Sequence, residues 1–183
     1  MKYVQPIRDK TKIHKIKNIL KKNNYRDYFL FVLGINSGLR VSDMLKLKVM
    51  DVKNKSHITI KERKNGKLKR FKINNSLQGE ISEYIWNMND YDYLFHSRKK
   101  NNGNEPIQRV QAYCILNQAA RQVGLNEIGT HTMRKTFGYH FYQETKDVAL
   151  LQTIFNHSAP SMTLRYIGIN QDIIDSAIDD FCL

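Results

Sequence analysis

Two cysteines, three prolines and one tryptophan in 183 residues leave several protein classes without support. Cys114 and Cys182 stand outside any C-x-x-C or Cys/His finger spacing, so neither a disulfide framework nor a structural zinc site is indicated and both thiols are read as reduced. His140, nine positions after His131, has no zinc-helix spacing and no Cys or carboxylate pattern to complete a site, so no metal and no cofactor is expected. No stretch approaches the ~20 apolar residues that span a bilayer, and the first dozen residues lack the apolar core of a signal peptide. A soluble, cytoplasmic protein without a membrane partner is the expectation. Internal repeats and low-complexity tracts are missing as well.

The remaining shortage is of acid. Asp and Glu number 17 against 30 Lys and Arg, a formal charge of +13, while 41% hydrophobic residues exclude disorder and supply the core of one main folding unit. The imbalance is localised. Residues 1–74 hold 21 basic and 5 acidic residues, whereas residues 75–183 hold 9 and 12. A solvated basic face is the bland explanation of a charge run, but an asymmetry this large marks a surface for a polyanion, with nucleic acid ahead of an acidic membrane because no Trp/Phe-faced basic helix is present.

Periodicity gives a coarse fold. Asp9 or Thr11 can cap a helix through Ile13, Ile16, Ile19 and Leu20 that ends near Asn23-Asn24. A buried second helix runs from Tyr25 to the stop at Ser37-Gly38, and Leu39 to Leu47 reads as a short third. His57 to Ile60 and Phe71 to Ile73 alternate on either side of Asn65-Gly66, a hairpin signal. Leu77, Ile81, Tyr84 and Ile85 mark another helix, Leu94-Phe95 a candidate third strand, His96 to Glu105 a polar loop, and everything from Gln108 onward is helical. The expected class is α+β: mainly helical with a small antiparallel sheet.

Five groups suited to phosphate recur along the chain: Arg40 after Ser37-Gly38-Leu39, Lys64 at the hairpin, His131 and Arg134 in His-Thr-Met-Arg, and His157 before Ser158-Ala159-Pro160-Ser161. Tyr166 follows nine positions later. Singly, each has an ordinary explanation: Arg40 can pair with Asp43, Lys64 is one hairpin lysine among several, and lone histidines are usually structural. The i,i+3 spacing of His131 and Arg134 places them on one helical face. Phe137 and Phe141, four apart, read as core rather than as base-stacking platforms, and Tyr25 and Tyr28 as packed rings.

In order and combination these motifs resemble the catalytic domain of the tyrosine recombinases, the phage-integrase and Xer-like site-specific recombinases, from about Asp9 to Ile169. The resemblance implies DNA strand cleavage by a tyrosine nucleophile, with a 3′-phosphotyrosyl enzyme and a free 5′-hydroxyl and without metal or high-energy cofactor. Carried onto this chain, Tyr166 is the nucleophile, Arg40 and Arg134 clamp the non-bridging oxygens, His131 is the base or positioning group, and His157 donates to a non-bridging oxygen from the start of a helix that Ser158 can cap. Lys64 matches the family's general-acid lysine, with Arg63, Lys67 and Lys69 close enough for a register slip to change the assignment. Arg63, Lys67, Lys69, Arg70, Arg98 and Lys99 are the candidate DNA-backbone contacts. Asn156 stands where the family usually has Gly, and Asn tolerates the left-handed conformation.

Residues 1–170 are thus expected to be the catalytic domain, 171–183 an amphipathic C-terminal helix or tail that packs either on its own chain or on a neighbour, and the helical core-binding domain that usually precedes it absent. The resemblance further implies double-stranded DNA as partner, a homotetramer on paired sites and a monomer or weak oligomer when free, with the C-terminal segment docked on a neighbouring protomer. Two readings stay open beside recombination: a non-catalytic DNA-binding regulator or mobile-element remnant, and a type IB topoisomerase-like activity with the same chemistry.

Overall fold

The computed structural model describes residues 4–61, 68–98, 105–126, 128–129, 131–169, 178–179 and 181. Helix α1 (Lys10–Asn23) begins at Asp9, whose carboxylate accepts from the amides of Thr11 and Lys12 at 2.7 and 3.4 Å. Asn24 closes α1 and opens α2 (Tyr25–Ser37): its amide donates to Leu20 O, and its side chain accepts from Arg26 N at 3.0 Å. One residue therefore sets the angle between two helices. Helix α2 is buried almost all round, with Phe29, Leu30 and Leu33 fully enclosed. It forms the axis of the main core, and α1, α4 (Asn75–Tyr84), α5 (Arg109–Arg121) and α6 (Thr132–Thr145) pack around it. Gly34 is required at the α2–α6 crossing, since a Cβ there would sit 2.5 Å from Met133 Sδ.

The third helix is shorter than its apolar run. α3 covers only Val41–Met44. The chain then turns so that Lys48 bridges Tyr93 and its amide donates to the Asp51 carboxylate at 2.8 Å, which tightens Val49–Asp51 into a 3-10 turn. The bridging neighbour ends the helix, a constraint absent from residues 39–47 themselves. Leu94-Phe95 is not a strand. Both residues are fully buried, but they lie between two isolated bridges, Lys48 to Tyr93 and His96 to Pro106, where tertiary packing on Phe29 and Leu47 makes an apolar strap without joining a sheet.

Strands β1 (His57–Lys61) and β2 (Leu68–Lys72) pair antiparallel from His57 opposite Lys72 to Lys61 opposite Leu68, the two-stranded sheet found among the described residues. The expected Asn65-Gly66 turn lies outside them. A second, smaller core joins α6, α7 (Val148–Phe155) and α8 (Pro160–Ile167) around Leu151, Phe155 and Ile167. Phe137 and Phe141 stack within it, ring centroids 5.7 Å apart. The segment before α1 is laced to this unit. Ile7 N donates to Thr136 Oγ1 at 2.9 Å, Ile7 O lies 2.9 Å from His140 Nε2, and Arg8 donates to Gly168 O at 2.9 Å. His140 is thereby a structural histidine. No helix among the described residues is long and apolar enough to cross a membrane.

The close crossing gives a first test. Gly34→Ala should lower stability by about 1–3 kcal/mol, because overpacking a buried crossing outweighs the better helix propensity of alanine. Urea unfolding measures it, and an unchanged midpoint would place α2 farther from α6 than described.

Candidate active site

The end of α2 delivers the first site residue. Ser37 Oγ donates to Leu33 O at 2.6 Å and accepts from Leu39 N at 3.3 Å, and Gly38 turns the chain at φ 64°. A Cβ at Gly38 would also lie 2.5 Å from the Phe137 ring, so glycine is needed there for conformation and for space. Arg40 emerges from this turn as the exposed residue preceding α3, without an ion pair to Asp43.

Arg134, in the first turn of α6, is only 3% exposed. Its Nη1 donates to Gly38 O and its Nη2 to Phe155 O at 3.0 Å, while the guanidinium lies 4.2 Å from the centroid of the Phe155 ring. These carbonyls end α2 and α7, where intrahelical donors run out and a cation is favoured. Burial above all, with help from Arg40, brings its pKa down to about 10, so the group stays charged at neutral pH.

His131 precedes α6 instead of sitting on its face. It takes the N-cap position, held by a turn in which Gly129 N donates to Thr132 Oγ1 at 2.9 Å. Its Nδ1 lies 3.2 Å from the Tyr166 hydroxyl. Burial first, then Arg109, Lys135, Arg134 and Arg40, hold the imidazole below the usual histidine range.

His157 follows Asn156, which closes α7 in the left-handed conformation at φ 55°, ψ 48°, as its residue type allows. His157 Nδ1 is 3.0 Å from the fully buried Thr163 Oγ1, which leaves Nε2 as the nitrogen able to reach a ligand. Burial, then Arg134, Arg40 and Lys69, lower its pKa too. Ser158 is not the cap of α8. Ala159 holds that position without a side-chain bond, Pro160 fills the first turn where no amide hydrogen is missed, and Ser158 Oγ turns to Met162 Sδ at 3.0 Å.

Tyr166 rides on α8, half-buried, its ring nearly perpendicular to those of His157, Phe155 and His131 at centroid distances of 5.1, 5.5 and 6.3 Å. Burial raises the phenol's pKa, and Arg134 and Arg40 oppose the rise. A cavity of about 370 Å³ opens beside it, lined by Val4, His131, Lys135, Met162, Arg165 and Tyr166.

Arg40, His131, Arg134, His157 and Tyr166 are thus gathered from four separate stretches. Lys69 reaches the same region: its Nζ donates to Thr153 O at 3.1 Å near the end of α7. Arg70 faces His57 Nδ1 at 3.1 Å on the exposed side of the hairpin, and Arg98 lies apart, near Tyr84. Lys64, Arg63, Lys67 and Lys99 fall outside the described residues. Sequence reading missed three contributors. Thr163 orients His157, Arg109 brings a cation from α5 to His131, and Lys135 lies over the Tyr166 ring. Only Lys135, adjacent to Arg134, left any trace in the sequence.

The depressed histidines set a pH dependence of stability. A histidine whose folded pKa lies below its unfolded value of about 6.5 makes the unfolded state bind more protons in that interval, so stability is full above it and is lost as pH falls through it. The melting temperature should drop between pH 7 and 5.5, and His131→Gln with His157→Gln should flatten that slope. Thermal melts across this range check it, and an unchanged slope would contradict the assigned environments.

Residues 8–172 match the model of the phage integrase family. The probable integrase/recombinase YoeC of Bacillus subtilis is 54% identical over 181 residues, covering 99% of this chain and 98% of that protein. Tyrosine recombinase XerA of Pyrococcus furiosus is 28% identical across 91% of this chain, which spans only 58% of the relative's length. Among solved structures, XerA recombinase superposes with a TM-score of 0.74 at 18% identity, over 97% of this chain and 65% of that one. A lambda integrase dimer bound to a core site gives 0.70 at 15%, over 93% and 62%. With its helices, its hairpin and its match from Arg8 to Asp172, this chain belongs to the phage integrase family of tyrosine recombinases.

Proposed function

We propose that the chain breaks and rejoins double-stranded DNA at specific sites through a 3′-phosphotyrosyl intermediate formed on Tyr166. The carrying observation is the Tyr166 hydroxyl, 3.2 Å from His131 Nδ1 and within the fields of Arg40 and Arg134. In this reading Tyr166 Oη attacks the phosphorus while its proton passes to His131, which its surroundings keep neutral and able to accept. Arg40, Arg134 and Nε2 of His157 bind the non-bridging oxygens as charge builds on them. The bond to the 5′ oxygen breaks, and Lys64 gives that oxygen its proton. Attack by the 5′-hydroxyl on the phosphotyrosine reverses these transfers and reseals the strand without an external energy source.

Residues 1–170 act as the catalytic domain, and Arg63, Lys67, Lys69, Arg70, Arg98 and Lys99 supply backbone contacts in the cytoplasm, where the DNA lies. Paired sites would be held by a tetramer of weakly associating protomers. Ile178 and Phe181, exposed at 63% and 68%, support a role for the acidic 171–183 segment in docking on a second copy. A DNA-binding regulator is the rival reading, favoured by the Escherichia coli relative named type 1 fimbriae regulatory protein FimE, 29% identical over 79% of this chain and 75% of that protein. Binding alone needs no tyrosine set against a histidine.

Nicked duplexes drawn from the DNA flanking the gene separate the two. On them the wild-type protein should form a covalent adduct in denaturing gels, and Tyr166→Phe should keep DNA affinity and lose the adduct. Wild-type binding without an adduct would leave the regulator. Lys64→Ala should slow cleavage about 10²- to 10⁴-fold, as expected for loss of a general acid. It should recover on DNA with sulfur at the bridging 5′ position, because a thiolate leaves without a proton. Rescue seen instead in Lys67→Ala or Lys69→Ala would move the acid along the hairpin.

A further inference from the structure

The site holds a buried cation that the chemistry above does not use. Lys135 follows Arg134 on α6 and is only 7% exposed. Enclosing an ammonium costs hydration, and that burial lowers its pKa. Its Nζ lies 5.1 Å from the centroid of the Tyr166 ring, within cation–π range.

The surroundings make this contact consequential. Tyr166 meets His131 through its hydroxyl and packs its ring edge-on against Phe155 and His157, while another flank borders the 370 Å³ cavity shared with Lys135. Rotation about the Cβ–Cγ bond leaves Oη in place but turns the ring plane, and with it the direction of the hydroxyl's proton and lone pairs. In-line attack needs one ring orientation, with an Oη lone pair aimed at phosphorus and the proton aimed at its acceptor, and aligned orbitals are part of what a positioned reactant contributes. The charged and titratable groups facing Tyr166 are His131, Arg134 and Lys135 from α6, His157 from the α7–α8 turn, Arg40 from the start of α3, and its neighbour Arg165. Arg134 bonds the carbonyls of Gly38 and Phe155 and acts on Tyr166 at its hydroxyl, and both histidines are held toward neutrality. Lys135 is the cation stacked over the aromatic ring itself. When the hydroxyl loses its proton, negative charge spreads into that ring, and the attraction of an ammonium over it grows.

We propose that Lys135 is a positioning residue for Tyr166: its ammonium against the phenol fixes the ring's orientation for attack and stabilises the charge the ring acquires as the hydroxyl oxygen becomes a nucleophile. The catalytic half of this inference rests on the strand-cleavage reading, whereas the ring contact belongs to the free protein.

The test therefore has two arms. In the first, 3,5-difluorotyrosine, whose fluorines acidify the phenol into an accessible pH range, replaces Tyr166, and fluorine NMR follows its resonance and titration without DNA. Lys135→Met, which keeps the stem and removes the charge, should shift the resonance and move the titration midpoint to higher pH. Lys135→Arg should restore both. In the second, single-turnover cleavage of a nicked duplex should slow roughly tenfold in Lys135→Met, with unchanged DNA affinity and recovery in Lys135→Arg. A Lys135→Met resonance and midpoint equal to wild type would overturn the proposal, and so would equal disturbance in Met and Arg variants, which would assign the effect to packing of the stem. If wild-type protein forms no adduct, the cleavage reading fails, and the fluorine titration alone decides the ring contact.

Discussion

A single buried guanidinium organises this molecule. Arg134 ties the last carbonyl of the α2 turn, Gly38, to the last carbonyl of α7, Phe155, and rests on the Phe155 ring. Arg40 lies two residues beyond the first carbonyl and His157 two beyond the second, while His131 precedes Arg134 by three. The hydrogen bonds that compensate for burying Arg134 therefore also set the separation of Arg40 and the two histidines. An uncompensated buried charge costs several kcal/mol, so the two helix ends are held where the guanidinium needs them. Core assembly and site assembly are one event, and a variant at Arg134 perturbs both.

The electrostatics follow from that arrangement. Arg40, Arg109, Arg134 and Lys135 all act on His131, and with burial they disfavour its protonated form. Arg134 and Arg40 also favour an ionised Tyr166 against the burial that disfavours it. A histidine kept neutral beside a phenol whose burial is partly offset by arginines is suited to proton transfer, and a bound anion would bring the negative charge that the cluster of cations lacks. Positive potential is thus built into the cleft before any ligand arrives.

Much of this was legible in the residues. Asp9 and Asn24 announced helix boundaries because a short side chain that accepts from a free amide acts locally; Gly38 announced the stop of α2, and Asn156 its left-handed turn, because each residue type tolerates the backbone it needs. The family motifs carried the five gathered side chains. Misreadings arose where a distant neighbour decides the outcome. Residues 39–47 read as one short helix, but the bridge of Lys48 to Tyr93 leaves only Val41–Met44 helical, and Leu94-Phe95 read as a candidate strand although Leu47 and Phe29 cover it in isolation. Ser158 has the right residue type for a cap, yet Pro160 and Met162 shift the helix start past it. Thr163, Arg109 and Lys135 reach the site from α8, α5 and α6, and no spacing along the chain encodes those meetings.

The lacing of residues 4–8 bears on how the protein can be handled. Val4 forms part of the wall beside Tyr166, Ile7 is bonded on both backbone edges to α6, and Arg8 grips the carbonyl that ends α8. Anything fused ahead of these residues is anchored by two bonds to α6 and by one to the end of α8, the helix that bears the tyrosine. An affinity tag or fluorescent reporter placed there is mechanically coupled to the wall beside Tyr166, and so works as a strain gauge on the cleft instead of a neutral handle.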